Sequence, residues 1–168
     1  IYNRNLTEIC EEVDANNMDV FISVHSNAAS EGTSTNYPLF LYRGSDGEGG
    51  DAVAGSRAMG LTMWPLLYTN AIDVMNYYGP TNPNVRGDVS FYGSSSDRVA
   101  TNGNVYTGYL GVLKHGAQAL LSEGYFHTYQ PARHRALNQD YCFQEGVRYA
   151  RGLCQVLGGT PETTGYIM

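Results

Sequence analysis

Two short segments place groups capable of chemistry at the ends of apolar runs. Asp19-Val20-Phe21-Ile22-Ser23-Val24-His25-Ser26-Asn27 carries an imidazole near its end, and Ala117-Gln118-Ala119-Leu120-Leu121-Ser122-Glu123-Gly124 carries a carboxylate. A short apolar run with little alternation reads as a strand buried on both faces, as in a parallel sheet with helices above and below. Ligands of open α/β sheets bind just beyond the carboxyl ends of the strands. His25 and Glu123 then share one rim of one sheet, the way a metal-assisted hydrolase would be built.

Each residue also has a plainer reading. His25 is either a metal ligand or a histidine that caps a strand. Glu123, at the mouth of an apolar strand, is expected to have a raised pKa from desolvation, which suits a general base. Alternatively it is paired with Lys114 or Arg133. His127, four residues beyond Glu123, and His115, eight before it, could complete a metal site or hydrogen-bond an oxyanion. Either could equally be a loop histidine. His134, between Arg133 and Arg135, reads as plain surface. Ser23, Ser26 and Ser122 lack the tight Gly-x-Ser-x-Gly turn of a serine nucleophile. Arg86 and Asp88 are substrate contacts or solvated loop charges.

The elements that would position these groups follow from periodicity. Leu6, Ile9, Cys10 and Val13 form the stripe of an amphipathic helix, ended by Asn16-Asn17. Residues 28–36 read as a loop and 37–43 as a second strand. Asp51 can cap a helix running toward Trp64, limited by Pro65. Residues 68–109, with Tyr77-Tyr78-Gly79-Pro80 and Asn82-Pro83-Asn84, read as an irregular insertion over the rim. Phe143, Val147, Ala150, Cys154 and Leu157 step by four and three, predicting a helix that packs this stripe on the sheet.

The 168 residues fit one domain with a real core. A net charge of −6 without a basic patch argues against nucleic acid or an anionic membrane as partner. No apolar stretch approaches the ~20 residues of a membrane span. Fourteen tyrosines and abundant asparagine suit carbohydrate or peptide binding and secreted proteins. Cys10, Cys142 and Cys154 show no metal spacing and read as small buried hydrophobes. Ile1 starts inside what reads as an element, so a longer parent chain is expected.

The stretch from Asp14 to Ala28, centred on Ser23-Val24-His25-Ser26-Asn27, resembles the central motif of the zinc-dependent N-acetylmuramoyl-L-alanine amidases. Leu120-Leu121-Ser122-Glu123-Gly124-Tyr125-Phe126 is similar to that family's second motif, and Tyr109-Leu110-Gly111-Val112-Leu113-Lys114 to the segment leading into it. The resemblance covers roughly residues 5–158, which it marks as an amidase-like catalytic domain spanning 1–158. Residues 159–168 would be a linker or the start of a following domain. The implied fold is α/β, a mostly parallel or mixed twisted sheet flanked by helices on both faces, its first strands missing from this chain.

The resemblance further implies zinc held by two histidines and a glutamate, with a separate glutamate activating water. His25 matches a metal ligand and Glu123 the catalytic base. The remaining His and Glu ligands are expected upstream of residue 1, because nothing here matches the family's Gly-His-Gly motif. Asn27, Arg86 and His127 are candidate substrate contacts. The metal would lower the pKa of its water and polarise the amide carbonyl. Glu123 would take the water proton and pass it to the leaving amine. The substrate would be peptidoglycan or muropeptides, cut between N-acetylmuramic acid and L-alanine, in the cell envelope, periplasmic or extracellular. Two rival readings remain: a non-catalytic cell-wall binding module, and a self-contained metallohydrolase using His25, Glu123 and His127.

Overall fold

The structure, a computed structural model, describes residues 4–32, 34–69 and 83–161. The elements in chain order are α1 (Leu6–Ala15), β1 (Val20–Asn27), β2 (Leu39–Tyr42), α2 (Ser56–Tyr68), β3 (Val85–Gly87), α3 (Asp88–Tyr92), β4 (Ser96–Val99) and β5 (Val105–Gly108). A 3-10 turn (Gly111–Leu113), β6 (Gln118–Phe126), α4 (Gln130–Ala136) and α5 (Gln139–Val156) follow. Four strands form one sheet in the order β1-β6-β2-β3, and β4 with β5 forms a second. The fold is α/β, a mixed sheet with helices on both sides. β2 and β3 are parallel, with Phe40 opposite Val85 and Tyr42 opposite Gly87. Gln118 N–H donates to Asp19 O at one end of β6, and His127 N–H donates to Asn27 O just past its other end. β1 and β6 therefore run the same way, which brings both carboxyl ends to one rim.

The chain divides into two compact units. One comprises Ile1–Ser23, Phe40–Gly60 and Val85–Leu121; the other comprises Val24–Leu39, Leu61–Asn84 and Ser122–Met168.

In the first unit, Asn5 and Glu8 close a reciprocal capping box at the start of α1. Asn17 at φ 47° turns the chain out of it, a conformation that asparagine tolerates. Cys10 and Val13 are buried, and the Cys10 thiol donates to the Gly111 carbonyl at 3.3 Å. Phe40 to Tyr42 are all fully buried. Residues 83–109, expected to be irregular, are instead regular in good part: β3 joins the main sheet, and β4 pairs antiparallel with β5 through Ser96–Gly108 to Val99–Val105. Turn residues there hid strands of three and four residues, too short to show a period. The expected segment at 70–82 lies outside the described residues.

Asp88 overturns its sequence reading. It is neither solvated nor a free substrate contact but fully buried at the start of α3. Its carboxylate accepts the backbone N–H groups of Gly44, Tyr109 and Leu110, each at 2.8 Å. Three N–H donors answer its charge, and the buried Arg43 guanidinium interacts with it electrostatically. Arg98 makes a comparable tie, bonding Glu11 at 2.6 Å and Asp14 at 2.7 Å. His115 is likewise no rim residue. It is fully buried, accepts the Ala117 N–H at Nδ1 and meets the Phe21 ring edge-on. Burial holds its pKa down to about 4, so it is neutral.

In the second unit, Trp64 is fully buried and its Nε1–H donates to the Pro38 carbonyl at 2.7 Å. Pro65 stands inside α2, which runs on to Tyr68 rather than stopping before the proline. α5 forms as expected but turns a different face inward. Phe143 and Leu157 are 51% and 66% exposed, while Gly152 is buried against Met63. The inner face is Glu145, Tyr149 and Gly152, at helical spacing. Their partners on β6 explain the choice: the Tyr149 hydroxyl bonds buried Ser122, and Glu145 lies over Gly124. A Cβ at 124 would come within 2.6 Å of the Glu145 carboxylate, so Glu145 keeps this position only over a glycine or by moving aside. All three cysteines are free. Only Cys10 is buried; Cys142 is exposed, its thiol donating to the Ala136 carbonyl at 3.2 Å.

Candidate active site at the sheet rim

β6 carries Glu123 out of the core. Ala119 to Ser122 are buried, and Glu123 is the first residue after them with part of its surface exposed. β1 is less deeply set than its apolar run suggests. It is the end strand of the four described, none of its residues is fully buried, and Val24 is 60% exposed. The reading of a strand buried on both faces holds for the core of β6, while β1 as described is part-buried.

Alternation puts His25 and Asn27 on one face of β1 and Ser26 on the other. The Asn27 amide oxygen accepts the Ala28 N–H at 2.7 Å, which leaves the NH2 to donate to the Glu123 carboxylate. Burial raises the Glu123 pKa above its ordinary value, and the Asn27 bond opposes that rise without cancelling it. No cation is paired with Glu123 among the described residues. The Lys114 alternative falls away, since Lys114 is buried in the first unit with its ammonium on Ser96 Oγ at 2.7 Å. Desolvation with one neutral donor shifts the carboxyl toward holding its proton more tightly than an ordinary glutamate.

His25 is exposed on β1, on the Asn27 face. His127 follows β6 directly, and its Nδ1 shares a 3.0 Å hydrogen bond with Ser26 Oγ. Ser26 also bonds the Tyr125 hydroxyl, whose pKa is pushed up by burial. Arg86 belongs to the other unit, where its guanidinium bonds Asp46 at 2.7 and 2.8 Å and lies over the Phe91 ring. His134 is exposed on α4.

Zinc would need more than this arrangement supplies. Catalytic zinc takes about three protein ligands, and among the described residues no group of three His, Cys, Asp or Glu side chains converges to hold a metal. His25, Glu123 and His127 do not form such a group among the described residues, and His127 is bonded to Ser26. The residues present do not make a complete zinc site.

Beside His127 opens a cleft of about 530 Å³, lined by Glu31, Ser34, His127, Tyr129, Gln130 and Arg133 among others. The sequence reading gave Arg133 only as a partner for Glu123 and passed over Glu31 and Tyr129. Pro131, in the first turn of α4, was the one local signal that residues after β6 turn sharply into a helix.

No protein-family model matches the sequence, and no curated protein matches it. Solved structures do. The catalytic domain of CwlV, an N-acetylmuramoyl-L-alanine amidase from Bacillus (Paenibacillus) polymyxa var. colistinus, matches with TM-score 0.63 at 14% identity, covering 92% of this chain and 66% of that one. An N-acetylmuramoyl-L-alanine amidase from Clostridium difficile 630 matches with TM-score 0.63 at 16% identity, over 96% and 68%. The amidase AmiC2 of Nostoc punctiforme matches with TM-score 0.65 at 18% identity, over 94% and 68%. The chain thus spans about two thirds of the length of these structures. Across that span it has the fold of the N-acetylmuramoyl-L-alanine amidases.

Proposed function

We propose that this chain is the greater part of a hydrolase that cuts the amide bond between N-acetylmuramic acid and L-alanine in peptidoglycan, with Glu123 as general base. The observation that carries the reading is Glu123 itself: a half-buried carboxylate at the sheet rim, raised by desolvation, held by Asn27 and free of any described cation. The amidase fold of the matched structures supports the choice of bond.

Glu123 takes a proton from the attacking water and returns it to the nitrogen as the C–N bond breaks, so one group serves as base and then acid. Asn27 fixes the carboxylate's direction. His25, on the same face, is the described residue best placed to serve as a metal ligand. The expected setting is the cell envelope or its exterior. Among the described residues no helix is long and apolar enough to cross a membrane.

A second reading is a wall-binding module with an amidase-like fold and no turnover. Digestion of purified peptidoglycan with zinc present separates the two. Stem peptides beginning with L-alanine, read by mass spectrometry and reduced about 10²–10⁴-fold in Glu123→Gln, support the amidase. Sedimentation with the wall and no peptide release, in wild type and variant alike, supports the binding module.

A further inference from the structure

The face of β6 turned away from Glu123 is fastened residue by residue. Alternation puts Ser122, Gly124 and Phe126 on that face. The Tyr149 hydroxyl bonds Ser122, the Glu145 carboxylate lies over Gly124, and the Phe126 ring meets Tyr37 with centroids 4.7 Å apart. Glu145 and Tyr149 are one turn apart on α5, a rise of about 6 Å. Ser122 and Gly124 are two residues apart on β6, a rise of about 6.6 Å. The two spacings match, so α5 meets the strand on both sides of Glu123 in one register.

A helix that only covered a sheet would turn apolar side chains inward. On α5, Phe143 and Leu157 are exposed while a carboxylate and a phenol lie inward. Burial raises the pKa of both, against the opposing effects of Arg135 on Glu145 and of Ser122 on Tyr149. Apolar packing would avoid that desolvation cost. From this register we infer that Tyr149 and Glu145 are positioning residues, holding the β6 backbone at 122 and 124 so that Glu123 points at Asn27. They act through Glu123 rather than on substrate. The inference rests on the amidase reading for the use of Glu123 as a base, but the direction of its carboxylate is measurable without turnover.

The test compares Tyr149→Phe, Glu145→Ala and Glu145→Gln with the wild type. The readouts are the Asn27 side-chain amide signals in nitrogen-15 NMR and the kinetics of stem-peptide release with zinc present. Cys10→Ala, a buried change in the first unit, is the control for lost stability. Tyr149→Phe and Glu145→Ala should each move the Asn27 signals and lower kcat about tenfold, with KM within about twofold. Glu145→Gln keeps the shape over Gly124 and should stay near wild type in both readouts. Cys10→Ala should lower the denaturation midpoint and leave the Asn27 signals in place. Asn27 signals unmoved by Tyr149→Phe and Glu145→Ala, or moved as far by Cys10→Ala, would overturn the positioning role, as would a change in KM at constant kcat. Signals that move as expected in a chain that releases no stem peptide would leave the positioning standing and count against the amidase reading alone.

Discussion

Two carboxylates, Glu123 within β6 and Asp88 just after β3, stand in different units, and the chain treats them in opposite ways. Asp88 is fully buried, and three backbone N–H groups, from Gly44, Tyr109 and Leu110, converge on it. Glu123 is half-buried and has one side-chain amide as donor. The first charge is fully answered, so it ties β2, α3 and the 3-10 turn together. The second is desolvated with a single described side-chain donor, which suits the general-base role proposed for it. Completeness of hydrogen bonding, not burial alone, separates the structural acid from the proposed base.

Removing the structural acid should hurt folding most. Asp88→Asn turns an NH2 toward at least one of the three donors, and an unfolding cost of about 3 kcal/mol or more is expected from urea denaturation. A loss below about 1 kcal/mol would show that Asp88 is not the tie described. Next in size is a pH effect in the same unit. His115 has a folded pKa of about 4, below its unfolded value, so the unfolded chain binds the extra proton. Stability is then full above about pH 6.5 and falls as the pH drops toward 4, by up to about 3 kcal/mol. His115→Gln should flatten that slope whatever its effect on absolute stability; an unchanged slope would remove His115 from the account. Smallest is Tyr149→Phe, which strands the buried Ser122 hydroxyl at a cost of about 1 kcal/mol, read as a lowered denaturation midpoint. No change there would mean that the Glu145–Tyr149–Gly152 face of α5 is held by shape alone.

The sequence exposed the reactive acid better than the structural one, for a physical reason. Glu123 closes a local apolar run, and its desolvation follows from neighbours in the same strand. Asp88 depends on N–H groups that come from residues 44, 109 and 110, and no local pattern announces them. The same divide runs through the helices. The α1 stripe and its Asn16 end were legible because the whole signal lies within ten residues. The inner face of α5 was not, because it is set by Ser122 and Gly124 on a distant strand, which favour a tyrosine and a glutamate over Phe143. Arg86 looked available on its own and is in fact paired with Asp46 across 40 residues. The cleft, built from two loops, has no sequence period to read.

The central claim is that Glu123 is an under-answered carboxylate. Carbon-13 NMR titration of its side-chain carboxyl, in the wild type and in Asn27→Ala, tests it most directly. The account predicts a midpoint above the ordinary 4.5 in the wild type and a higher one in the variant, since the Asn27 bond favours the charged form. A wild-type midpoint at or below 4.5, or one that ignores the loss of Asn27, would contradict it.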